Sequence, residues 1–137
     1  MTRPLSGRCI TALTRISSTP PIEVERDEYT CRISHLGLTH AVVTQIVDLT
    51  TGATTNSGVW VAANGDELGS AFTGSVQITF TGPTTATVSF AGTQEFSAGT
   101  GRFATASGTA HLAGSAQLNL VTGAATGEFT LEGTLTY

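Results

Sequence analysis

Apolar and polar residues alternate with a period of two along most of this chain, and no stretch of helical length carries an apolar stripe at 3.6-residue spacing. The alternation predicts strands over residues 8–16, 29–35, 38–49, 58–63, 66–80, 85–96, 103–120 and 126–137. In the fifth of these, Leu68, Phe72, Val76, Ile78 and Phe80 share a phase; in the sixth, Ala86, Val88, Phe90 and Phe96 do. Ala110, Leu112, Ala116, Leu118 and Leu120 form the inward set of the seventh, and Phe129, Leu131, Leu135 and Tyr137 that of the last. The third strand differs, because Leu38, Val42 and Ile46 on one face are matched by Ala41, Val43, Val47 and Leu49 on the other. A strand with one wet face alternates more cleanly. This one is therefore expected to be covered on both sides, by the core within and by another subunit or a terminal segment without.

Turn signals separate the strands. Pro20 and Pro21 cannot donate to a ladder and break the first strand, and the acidic run Glu23, Glu25, Asp27 and Glu28 reads as a solvated connecting loop, with a cation or partner site as the alternative. Residues 48–57 read as a Thr-rich loop, and Asn64-Gly65 between two alternating runs predicts a type I′ hairpin. Gly82-Pro83 and Thr122-Gly123 mark further turns. The stretch 97–108, S-A-G-T-G-R-F-A-T-A-S-G, reads as the corner from which the last hairpin starts. It lacks the Lys, the spacing and the following helix of a phosphate-binding loop. About eight strands joined mainly by short turns favour an all-β, antiparallel up-and-down barrel, calycin-like in outline, over a Greek-key sandwich. Closure also removes the edges that long Thr-rich strands leave open.

Composition sharpens this picture. A chain of 137 residues is long enough for one real core and too short for two, so residues 1–137 are expected to form a single barrel domain, with 1–28 its N-terminal strand and loop. Charged residues make up 12%, and all six basic residues are Arg. A net charge of −4 without a basic stripe speaks against nucleic acid as a partner. No apolar run approaches the roughly 18 residues of a membrane span. Residues 1–7 show one Arg and no hydrophobic stretch, so no signal peptide is read. A cytoplasmic location is expected unless such a peptide has already been removed, which would make the protein secreted or periplasmic.

Candidate chemistry is sparse. Cys9 and Cys31 lie on the first two predicted strands and either form a disulfide across them or remain two buried thiols; their spacing does not suit a metal. A barrel interior desolvates ionisable residues, so those on apolar phases are the first catalytic candidates: His40, with Leu38, Val42 and Ile46, and Tyr29 and His35, with Cys31 and Ile33. A histidine there acts as general acid or base, or is a core residue satisfied by a backbone carbonyl. Asp48 lies about 26 Å from His40 along an extended strand and forms no dyad with it. Glu95 and His111 fall on polar phases and read as solvated. Trp60, Phe72 and Phe90 are candidate ligand contacts, or simply fill the barrel. Arg102 anchors a carboxylate at the barrel mouth, or ties the glycine corner to its neighbours. No nucleophile elbow, Walker loop or paired-carboxylate spacing is present.

The runs A-N-G-D-E-L (Ala63 to Leu68), G-T-G-R-F (Gly99 to Phe103) with A-S-G after it, and the terminal E-G-T-L-T-Y resemble bacterial proteins of the allene oxide cyclase-like barrel group. Plant dirigent proteins look similar around their own G-T-G-x-F corner. The similarity covers roughly residues 35–137, and its motifs mark turns and strand starts. The resemblance implies an eight-stranded barrel, frequently a homo-oligomer such as a dimer or trimer, with a pocket at one mouth. It also implies that the pocket shapes a small, reactive, apolar substrate for ring closure or stereoselective coupling, without metal or organic cofactor. Two functions follow as expectations: a cofactor-free cyclase or isomerase, if an acid or base points into an apolar pocket, and a binding or carrier barrel, if none does. A barrel filled solid by Phe72, Phe80, Phe90 and Leu118 would leave a secreted structural or assembly role instead.

Overall fold

The period-two alternation folds into eight strands: β1 (Thr2–Thr19), β2 (Ile22–Ile33), β3 (Gly37–Asp48), β4 (Ala53–Val61), β5 (Glu67–Phe80), β6 (Thr85–Ser97), β7 (Ser107–Asn119) and β8 (Ala125–Thr136). A computed structural model, which describes the whole chain from Met1 to Tyr137, closes them into one antiparallel barrel in sequence order. β1 completes the ring by pairing with β8, from Thr2 opposite Thr136 to Leu13 opposite Ala125. No sheet edge is left unpaired.

The interior is divided into a filled half and an open half. Around the end that carries the termini, Leu5, Leu36, Trp60, Leu68, Phe103, Leu131 and Leu135 are fully buried and pack the barrel solid. Cys9 and Cys31 face each other across β1 and β2 within this half and are disulfide-bonded. Such a link typically contributes about 2–4 kcal/mol. Trp60 meets Phe96 edge to face at 5.3 Å and Tyr29 at 5.7 Å, and Tyr29 meets Phe129 at 4.9 Å. This aromatic layer is the floor of the open half, whose rim is formed by the β1–β2, β3–β4, β5–β6 and β7–β8 turns.

Several turns differ from those predicted. The acidic run is no loop: β1 extends through Thr19, Pro20-Pro21 lies in a tight turn, and residues 23–28 belong to β2. Hydrogen bonding to strands on both sides holds this charged segment extended. The loop expected over 48–57 shrinks to a short turn, because β4 already begins at Ala53. At Asn64-Gly65 only Gly65 has positive φ, and the Gly65 N–H donates to the Ala62 carbonyl at 2.9 Å. The connection is thus a turn closed by a left-handed glycine, where a type I′ turn would need positive φ at Asn64 as well. Phe103 does not open the seventh strand but sits in a single 3-10 turn, Gly101–Phe103, and β7 starts only at Ser107. The phases assigned to β5–β8 hold, except that Phe80 projects beyond the rim and is exposed.

Candidate functional site

The open half of the barrel holds a cavity of about 80 Å³. Its two walls differ in chemistry. β5–β8 contribute apolar side chains, among them Phe72, Val76, Phe90, Leu112, Leu118 and Phe129. β2, β3 and β4 contribute Glu23, Glu25, Asp27, Tyr29, Gln45 and Asn56. The polar wall follows from strand geometry: residues 23, 25, 27 and 29 share the inward phase of β2, so Glu23, Glu25, Asp27 and Tyr29 descend from rim to floor in steps of about 7 Å.

Register places Arg15, Glu25, Gln45 and Asn56 opposite one another on β1 to β4. Arg15 lies at the rim with its guanidinium 3.5 Å from the Glu23 carboxylate. Deeper in, the Asn56 amide nitrogen donates to the Tyr29 hydroxyl at 3.3 Å and to Gln45 Oε1 at 3.5 Å. The Tyr29 hydroxyl in turn interacts with the Asp27 carboxyl. Two acceptors in this network have no partner, Asp27 Oδ1 and Asn56 Oδ1. Both belong to residues more than nine-tenths buried, at 3% and 7% exposure.

Burial governs the acid–base character of this wall. Loss of water raises the Asp27 carboxyl to about 7; the Glu25 charge pushes in the same direction, and the Tyr29 hydroxyl opposes it. Glu25 is likewise raised to about 7, by burial and then by Glu23, against the pull of Arg15. Tyr29 is driven well above the usual phenol range by burial and the nearby Asp27 charge, so it remains a hydrogen-bond donor at all ordinary pH. Near neutrality, Glu25 and Asp27 are therefore poised between acid and base forms inside a largely apolar cavity.

Only part of the sequence-predicted site assembles here. Tyr29, Phe72 and Phe90 line the cavity. His40 does not: it lies on the outward face of β3 and is exposed, because the inward phase is that of Thr39, Ala41 and Val43. The apolar neighbours that suggested an interior position, Leu38, Val42 and Ile46, are themselves exposed. His35 is also exposed, at the β2–β3 turn in left-handed backbone, on the end of the barrel opposite the cavity. Trp60 is wholly buried beneath Tyr29 and fills the barrel without lining the cavity.

Arg102 is also at the far end. Its backbone N–H donates to Asp66 Oδ2 at 3.2 Å, its guanidinium lies 3.8 Å from the same carboxylate, and it stacks over Phe103 at 4.6 Å. Thr100 completes the lock, donating its N–H to the Glu67 carbonyl and accepting the Glu67 N–H on its hydroxyl at 2.9 Å. The G-T-G-R-F corner is thereby clamped onto the N-G-D-E hairpin. Arg102 is a structural tie and anchors no ligand in this cavity.

Sequence reasoning missed Glu25, Asp27, Gln45 and Asn56. A signal was present for the first two: they continue the odd-numbered phase of Tyr29, Cys31 and Ile33 back toward the prolines. The chain matches no family model, no curated protein and no solved structure.

Proposed function

We propose that this barrel is a small-molecule enzyme that performs cofactor-free proton transfer, an isomerisation or cyclisation of a small and largely apolar substrate. One observation carries the proposal: two carboxyl groups, Glu25 and Asp27, are held near half-protonation in a cavity whose opposite wall is apolar. The ionised carboxyl of the pair removes a proton from the substrate, the neutral one returns a proton to another atom, and Tyr29, itself held by Asn56, positions Asp27. The same proposal places the chain in the allene oxide cyclase-like group, on the resemblance of its turn motifs, and has it assemble into a homo-oligomer through the exposed apolar face of β3 and β4.

The test is hydrogen–deuterium exchange. Small cyclic and acyclic ketones and enones are incubated with the protein in D2O, and loss of the proton α to the carbonyl is followed by NMR. The expected result is exchange at least about 100-fold faster with the wild type than with the E25Q/D27N double variant. Exchange no faster than in buffer across the panel would overturn the catalytic role. Retention of a ligand without exchange would identify a carrier.

A further inference from the structure

We propose that the cavity recognises an amine: a primary or secondary ammonium group held by Asp27 Oδ1 and Asn56 Oδ1, with a slender apolar body lying on Phe72, Val76 and Phe90. The inference deepens the preceding section by naming the ligand class, and it rests on the cavity being the binding site but not on catalysis.

The hydrogen-bond inventory points to a donor. On the wall near Asp27 the Asn56 amide nitrogen is taken up by Tyr29 and Gln45, and the Thr54 hydroxyl by the Ile46 carbonyl at 3.1 Å. Two buried acceptors beside them have no partner, Asp27 Oδ1 and Asn56 Oδ1. Both side chains adjoin the Tyr29 hydroxyl, and a group bearing two or more N–H donors serves both acceptors where a hydroxyl serves one. A buried acceptor without a partner keeps the full cost of its lost hydration, larger for a charged one, and the ligand removes that penalty.

Charge selects a cation among donors. The carboxylates of Glu23, Glu25 and Asp27 face the cavity, and Arg15 is the single guanidinium set against them. Arg15 stays at the rim beside Glu23, its Nε unpartnered and packed against Gly123; its pull reaches Glu25 but leaves Asp27, deeper still, without a counter-charge. β5–β8 add no charged side chain to the cavity. An alcohol would satisfy one acceptor but neutralise no charge, and a carboxylate would meet repulsion from the whole wall.

The experiment is calorimetric titration of the intact, disulfide-bonded protein at about pH 8 with n-hexylamine, n-hexanol and hexanoate. Hexylamine is expected to bind at least about tenfold more tightly than hexanol, and hexanoate to give no binding heat. D27N should lose most of the hexylamine affinity and so bring it close to that of hexanol. Affinity for the amine should also fall about tenfold toward pH 5, as Asp27 and Glu25 take up protons while Arg15 keeps its charge and Tyr29 its proton. Carboxyl carbon NMR provides a check that needs no variant: saturating hexylamine should move the Asp27 titration to lower pH in the wild type. Equal affinity for amine and alcohol, or a cavity that binds neither, would overturn the assignment. Amine binding without carbonyl exchange would sink only the catalytic role, and exchange without amine preference would sink only this one.

Discussion

Each carboxyl on the inward face of β2 exchanges water for a cavity wall, and the two deepest resist ionisation in consequence. Their effect on stability has a definite sign. A carboxyl whose folded-state value is raised to about 7 binds its proton more tightly in the folded chain than in the unfolded one, where the ordinary value is 4.5 for Glu25 and 3.8 for Asp27. The stabilisation is therefore complete below about pH 4 and is lost as pH rises through about 7. D27N mimics the protonated form, so it should be more stable than the wild type by about 2 kcal/mol at pH 8 and nearly equal to it at pH 4. Thermal melts at matched ionic strength read this directly; a variant less stable at both pH values would show that the Asp27 charge is satisfied in the fold. The same residues explain why half the site was hard to see in the sequence. Four acidic residues among six look like a solvated loop, and nothing local reveals that Glu23, Glu25 and Asp27 face a cavity while Glu28 faces solvent. Tyr29, Phe72 and Phe90 were legible because their apolar rings fall on phases that also carry core residues.

At the level of elements, the barrel is locked by its corner as much as by its ladders. Gly101 adopts φ +57, and a Cβ there would run into the Asp66 carboxylate, the group that accepts the Arg102 N–H. G101A should therefore cost about 2–3 kcal/mol through backbone strain and the loss of that cap. D66A, which keeps the glycine, should cost about 1 kcal/mol. Urea unfolding of both variants measures the difference, and equal losses would mean that the carboxylate alone holds the corner. Strand number and the phases of β5–β8 could be read from the chain because alternation with one buried face is a strong signal. The ends of elements could not. Whether Pro20-Pro21 terminates a strand or joins two depends on the pairing of β2 with β1 and with β3, and the hydrogen bonds to β3 leave no local mark.

For the whole molecule, the outer wall poses the remaining question. β3 faces the core through Thr39, Ala41, Val43 and Val47, yet its outer face presents Leu38, Val42 and Ile46, with Val42 directly opposite Val59 of β4. Val42 and Val59 are 50% and 45% exposed, so apolar surface on adjoining strands lies open to water. Burying it against a second copy gains about 25 cal/mol for each Å² removed from water. The patch is bordered on β2 by the Arg26–Glu28 ion pair, with Glu28 opposite Val42, so a symmetric contact would bring charges of both signs to its rim. Light scattering coupled to size exclusion should give two or three times the 14.0 kDa chain mass at micromolar concentration, and V42E should return it to one. Because the cavity opens at the end of the barrel and the patch lies on its side, V42E should bind hexylamine as the wild type does. A wild-type mass of a single chain would show that this face stays bare. A V42E variant that lost ligand binding along with assembly would show that the side wall and the cavity are coupled.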